Sequence, residues 1–221
     1  MRSWSCTNMN RQFRKAIGRW RRQRVKIIGV AGGRKTGKDV FVGYLTRHYP
    51  GFRHVRIADA PARIAKVLGL RPERRIFHAL FGVNALLKPI IGESAFKRRA
   101  AMILDKERPR FAVVEALRTK EEYREFIIKR KGILVGIEAD DRIRYERALK
   151  DARRNPEKRD EGKMTFKEFV SKESSPIERE IAYIMQKAHI VIRNDYKVHH
   201  QFYQEVAKAL KPLGLRAKTK K

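Results

Sequence analysis

Residues 25–39 read VKIIGVAGGRKTGKD, and this stretch decides the fold. Val25, Ile27, Ile28 and Val30 suit a buried parallel strand, after which glycines break the run and Gly32-x-x-x-x-Gly37-Lys38 follows. That spacing belongs to a phosphate-binding loop. Its glycines let backbone N–H groups wrap an anion where the next helix begins, at the positive end of the helix dipole. A lysine directly after the second glycine reaches the β- and γ-phosphates. Gly32, Gly33, Arg34, Lys35, Thr36, Gly37, Lys38 and Asp39 are therefore the candidate nucleotide-binding residues, with ATP as the expected ligand. Asp39 stands where Ser or Thr usually offers a hydroxyl to Mg²⁺. Its carboxylate reads either as a magnesium ligand, direct or through water, or as a first-turn acid favoured by the dipole.

The length of 221 residues suits one domain with a central sheet covered on both faces. The single cysteine, Cys6, gives neither a disulfide framework nor a cysteine metal cluster, so a reducing, cytoplasmic setting is expected. No apolar run approaches the roughly 18 residues that cross a bilayer, so no transmembrane segment is expected. Nor does any histidine show metal-ligand spacing with acids or cysteine, so no zinc is expected. Lys and Arg total 54 against 24 Asp and Glu, and the resulting +30 attracts any polyanion weakly and without sequence preference.

Residues 1–24 hold eight Arg or Lys and no acid, with Phe13, Ile17 and Trp20 at helical spacing. They read as a basic amphipathic segment for nucleic acid, an anionic membrane surface or organelle import, or else as a solvated extension. On either reading the domain runs over residues 25–212, the basic end 213–221 is a tail, and loss of residues 1–24 spares activity.

Beyond the loop, apolar runs alternate with helical stretches, as an α/β fold with a parallel sheet requires. Five strands are expected: Lys26–Val30, His54–Ala58, Phe111–Glu115, Ile133–Ile137 and His189–Arg193. Thr119-x-x-Glu122 and Thr165-x-x-Glu168 are capping boxes, and Ser175-Pro176-x-Glu178 puts proline at a first helical position.

Ligands of such sheets bind beyond the carboxyl ends of the strands, so the residues there are the candidates for chemistry. Asp59 could orient or deprotonate an acceptor hydroxyl, and Arg63 could hold its phosphate; Asp59 also reads as a helix cap. Glu115, at the tip of the third run, suits Mg²⁺ or its water, and Arg118 suits a phosphate clamp or a surface pair with Glu121 or Glu122. After the fourth run, Arg142, Arg144, Arg147, Arg153, Arg154 and Arg159 read as a flap over about residues 144–164, or as a solvated helix with pairs such as Arg147 and Asp151. Arg147 stands as its catalytic candidate. Asn194 suits adenine contact, a brace on the phosphate loop, or a plain turn.

These residues resemble the P-loop kinases of the nucleoside monophosphate kinase type. GGRKTGKD resembles the Gly-Lys-Asp loops of phage deoxynucleoside monophosphate kinases and animal-type phosphomevalonate kinases. ADAPARIAKVLGL is similar to the segment after strand two of the phage-type enzymes. VVEALRTKEEYREF and AHIVIRND are similar to segments of nucleotide kinases related to adenylate and dephospho-coenzyme A kinases. The resemblance implies a five-stranded parallel sheet of order 2-3-1-4-5, ATP with Mg²⁺, an arginine lid and a helical acceptor insert over about residues 59–105. With the residues above, it points to transfer of the γ-phosphoryl group to a small phosphorylated acceptor, a nucleoside or deoxynucleoside monophosphate first, held by Asp59, Arg63, Arg98 and Arg118. The alternatives are a dephospho-coenzyme A-like or other phosphometabolite kinase, and a nucleic-acid-associated P-loop NTPase, which the +30 charge favours. Adenylate kinase's Asp-Gly-x-Pro-Arg is replaced by Glu115-Ala116-Leu117-Arg118, so AMP specificity is not carried over.

Overall fold

The computed structural model describes residues 11–70, 74–155, 162–171 and 176–215. Its centre is β1 (Lys26–Ala31), paired in parallel with β3 (Phe111–Glu115) on one side and β4 (Ile133–Glu138) on the other. β2 (Phe52–Arg56) joins β3, and β5 (Ile190–Arg193) joins β4, also in parallel. The order is β2-β3-β1-β4-β5, as the resemblance implies.

Burial on both faces explains the unbroken apolar runs. Ile28 and Val30 enter one core with Val113, Ile133 and Val135, while Ile27 and Ala31 enter another with Ala112, Val114 and Leu134. The first core is covered by α1 (Arg11–Arg21), α2 (Lys38–His48) and α10 (His199–Leu210). The second is covered by α3 (Asp59–Val67), α4 (Arg74–Ile91), α5 (Ala95–Glu107), α6 (Lys120–Tyr123) and α9 (Pro176–Gln186). α6 runs on as a π-helical turn, Arg124–Lys129, which buries Phe126 and Ile127. α7 (Asp141–Arg154) and α8 (Phe166–Ser171) meet around Ala148, Met164 and Phe169.

Strand and helix limits follow local chemistry. β2 begins at Phe52 and stops at Arg56, two residues short of the expected Ala58, because Ile57 and Ala58 form the turn into α3. Pro61, within the first turn of α3, fixes a helical φ there without losing a needed donor. Both described capping boxes form: Glu122 N donates to Thr119 Oγ1 at 3.2 Å, and Glu168 N donates to Thr165 Oγ1 at 3.2 Å. Ser175 lies outside the described residues, and Pro176 opens α9.

The segment before residue 25 differs from the extension that the sequence suggests. Residues 11–21 form α1, whose Ala16, Ile17 and Trp20 are buried in the first core. Trp20 Nε1 donates to Ile27 O at 2.8 Å, and its ring lies 6.3 Å from that of Phe111. The helix thus covers the amino ends of the central strands. Residue 25 is therefore not the start of the folded unit. Trp20→Ala should lower the unfolding free energy by about 3–5 kcal/mol, the cost of emptying a buried aromatic site. A chain beginning at residue 25 should melt at a clearly lower temperature than the full chain, whereas unchanged denaturation curves for both would refute the packing.

Candidate functional site

The phosphate loop turns from β1 into α2 through backbone that only glycine adopts without strain. Gly37 has φ 95°, and a Cβ there would come within 2.2 Å of Asn194 Nδ2; Gly32 has φ 149°, and a Cβ there would meet Ile137 O at 2.4 Å. α2 starts at Lys38 with no side-chain cap, so its first N–H groups lack an intrahelical acceptor and suit an anion. Thr36 is buried and bonds through Oγ1 to Gly33 O at 3.1 Å. Lys38 Nζ folds back to donate to Gly32 O at 2.8 Å and Gly33 O at 2.6 Å. Burial, with the nearby Arg118 guanidinium second, lowers the Lys38 pKa to about 8, while Glu178, Asp39 and Glu115 oppose that shift.

Asn194 answers the choice that the sequence leaves open: it braces the loop. Its Nδ2 donates to Thr36 O at 2.8 Å, and its backbone N donates to Glu138 O at 2.7 Å. Arg147 ties the same assembly together by donating to Lys35 O, Asn194 O, Asn194 Oδ1 and Tyr196 O at 2.8–3.4 Å. Asp151 pairs with Lys35, not with Arg147. Arg144 is buried, donates to Arg34 O at 3.3 Å and pairs with Asp141 at 2.6 Å. The Arg34 and Arg144 guanidinium groups both lie over the Phe169 ring, at 5.6 and 5.7 Å. The described part of the expected lid is thus docked on the loop, and Arg159 lies outside the described residues.

On the other side of the loop, Glu115 ends β3. Its Oε2 accepts from His54 Nε2 at 2.6 Å and Arg56 Nε at 3.2 Å, while its Oε1 accepts no hydrogen bond among the described residues. Burial pushes this carboxyl up, but His54 and Arg56 outweigh burial and hold it below the usual carboxylate range. Asp39 is exposed at the first turn of α2. Asp39 and the free oxygen of Glu115 suit Mg²⁺ shared with phosphate oxygens, since that ion takes one or two carboxylates and keeps its waters. No group of three or more His, Cys, Asp or Glu that could hold a metal occurs among the described residues.

A cavity of about 70 Å³ adjoins Glu115, lined by Arg53, His54, Arg56, Asp59, Arg63 and Arg99 among others. Arg53 pairs with Glu107 at 2.5 Å, and Arg56 is held by Glu115. Arg63 and Arg99 have no hydrogen bond or ion pair among the described residues. Asp59 opens α3 without acting as its cap, because Ala58 holds that position with no side-chain bond. Arg98 is not a lining residue; it is exposed and 3.8 Å from Glu93, and Arg99, one step round the helix, takes its place. Arg118 forms no surface pair: Glu121 binds Lys88 and Glu122 caps α6, leaving the Arg118 side chain near Lys38.

Glu178 is a site residue that the sequence does not single out. It is buried, acts on Lys38, and lines a second cavity of about 380 Å³ with Gly33, Thr36, Asp140 and Arg144. That volume lies in the range of small-molecule pockets. In sequence Glu178 reads only as a first-turn acid after Pro176.

No family model matches the chain, and no curated protein matches it. Solved structures do. The Thermus thermophilus protein TT1252 superposes with a TM-score of 0.55 at 16% identity, covering 84% of this chain and 96% of its own. Shikimate kinase from Bacteroides thetaiotaomicron superposes with a TM-score of 0.53 at 13% identity, covering 86% of this chain and 98% of its own. The chain has the P-loop kinase fold. At these identities the likeness describes the fold, and the chemistry rests on the residues above.

Two expectations follow from the loop. Asn194→Ala leaves the buried Thr36 carbonyl without its donor, so unfolding free energy should fall by about 1–3 kcal/mol and ATP affinity should fall with it; unchanged ATP affinity would remove Asn194 from the site. With Lys38 at about 8 in the free protein, the lysine is mostly charged at pH 7 and neutral by pH 9. ATP affinity should therefore decline as pH rises through 8, and binding near that pH should take up protons. Calorimetry in buffers of different ionisation enthalpy reads this directly.

Proposed function

We propose that this chain is an ATP-dependent phosphotransferase that passes the γ-phosphoryl group to a small phosphorylated acceptor, a nucleoside or deoxynucleoside monophosphate being the favoured class. One observation carries the proposal: the unpaired Arg63 and Arg99 line a cavity beside Glu115, which itself adjoins the phosphate loop. Guanidinium groups without acid partners suit a phosphate monoester, whose oxygens match their planar fork.

On this reading the loop amides and Lys38 hold the β- and γ-phosphates, and Lys38 leaves the Gly32 and Gly33 carbonyls to do so. Arg118, beside Lys38 and without an ion pair among the described residues, faces the group in transfer and offsets charge on its equatorial oxygens. Asp59 accepts a hydrogen bond from a base N–H or sugar hydroxyl of the acceptor and so turns the acceptor phosphate, which is already ionised and has no proton to give up, toward the γ-phosphoryl group. Asp39 and Glu115 would hold Mg²⁺, which supplies charge neutralisation at the β- and γ-phosphates. Arg147 supports the chemistry by fixing the loop, since its donors are already spent on carbonyl and amide oxygens.

Lys38→Met should lower turnover by about 10²-fold or more, with circular dichroism like that of wild type. Across a panel of nucleoside monophosphates and other phosphometabolites, ADP and phosphorylated acceptor should form in equal amounts. Arg63→Ala and Arg99→Ala should raise the acceptor KM by about tenfold or more while leaving the ATP KM nearly unchanged. ATP hydrolysis stimulated by RNA but by no small acceptor would overturn the proposal.

A further inference from the structure

The outer face of α1 breaks the charge rules that stabilise helices. Arg11, Arg14, Lys15, Arg19, Arg22 and Arg24 are exposed, and none has a side-chain hydrogen bond or ion pair among the described residues. The first acid of the whole chain is Asp39. Arg11, Lys15 and Arg19 repeat at four-residue spacing, where like charges repel. Nothing within the described fold offsets this repulsion. Arg21 Nη2 donates to Pro212 O at 3.0 Å, which holds the segment after α10 beside this helix.

The partner's chemistry follows from what the other side of α1 does. A basic amphipathic helix that binds a bilayer inserts its apolar side. Here Ala16, Ile17 and Trp20 are buried in the core, so only the cationic side faces outward. From Arg11 to Arg22 the helix spans about 16 Å at roughly 1.5 Å per residue. Each strand of a nucleic-acid duplex offers one phosphate charge per about 3.4 Å of axis, and the five outward cations from Arg11 to Arg22 stand at about that spacing, so they can meet one strand without inserting anything. Trp20 bonds at Ile27, near the amino end of β1, whereas the phosphate loop follows its carboxyl end about 16 Å away at roughly 3.3 Å per residue.

We propose that the outer face of α1 docks the phosphodiester backbone of a nucleic acid, without reading base sequence, at the end of the sheet opposite the phosphate loop. This surface is independent of the phosphotransferase reading and stands whichever acceptor is used.

The test compares the full chain with two charge-matched variants. One replaces Arg11, Arg14, Lys15, Arg19 and Arg22 by Gln; the other replaces the exposed Lys66, Arg124, Lys129, Lys163 and Lys167 by Gln. Binding of short RNA and DNA duplexes is measured by fluorescence anisotropy from about 50 to 200 mM salt. The log–log salt slope should shrink by about 4.5 in the α1 variant, for five lost contacts at about 0.9 each, and by less than about 1 in the control. Single variants Arg14→Gln and Arg19→Gln, each expected to remove about 0.9 of slope, decide the matter should the fivefold variant not fold. Equal slopes in the two fivefold variants would overturn the proposal, because binding would then reflect net charge alone. Retention on phosphatidylserine vesicles at a salt concentration where neither duplex binds would overturn it too.

Discussion

A phosphate loop must hold its backbone open to a ligand while most of that backbone, before Lys38, belongs to neither a sheet nor a helix. Here the solution is the contact between Asn194 and Thr36 O, possible only because Gly37 has no Cβ to fill the space that the amide occupies. Each partner depends on a separate element: Thr36 on the turn after β1, Asn194 on the end of β5, Arg147 on α7. Because the three elements meet at this one point, the loop inherits the rigidity of the sheet. Backbone amides can act on a phosphate without reorganising only under that condition.

The electrostatics of the site arise from burial as much as from charge number. In a chain so rich in cations, exposed arginines distinguish little. What distinguishes Lys38 is its removal from water among Arg118 on one side and Glu178, Asp39 and Glu115 on the other, a balance that leaves it charged at neutral pH but close to losing its proton. The same holds for Glu115, which stays ionised because His54 and Arg56 reach it from the neighbouring strand. β2 pairs with β3 so that Arg56 stands opposite Glu115, which makes this ion pair a consequence of strand register.

Sequence is most legible where chemistry is local. The phosphate loop, the apolar runs of the five strands and the two described capping boxes each depend on residues a few positions apart, and each is found where its pattern puts it, save β2, which lies two residues earlier than expected. Contacts set by the third dimension are not legible. The period of Phe13, Ile17 and Trp20 is the same for a helix on a membrane and a helix on a sheet, so the docking of α1 cannot be read from it. Lys97, Arg98 and Arg99 are three cations in a row, and only helix rotation puts Arg99 rather than Arg98 on the cavity. A run of arginines likewise carries no record of which carbonyls its members meet, so Arg147 reads as part of a closing flap although it is fastened to the loop. Glu178 acts on Lys38 across 140 positions of chain, and no local pattern signals such a meeting.

The bond from Arg21 to Pro212 O spans 191 positions and brings the two ends of the fold together. Its consequence concerns time. During synthesis α1 emerges before the strands it covers, yet Leu210 and Leu213, which complete the core around Ala16, Ile17 and Trp20, emerge only after all five strands. At about 5–20 residues per second the ribosome needs on the order of 10–40 s to deliver them. For that interval the most apolar face of the N-terminal segment has no finished seat, and its arginines stand exposed beside the most abundant polyanion near any nascent chain, the ribosome itself.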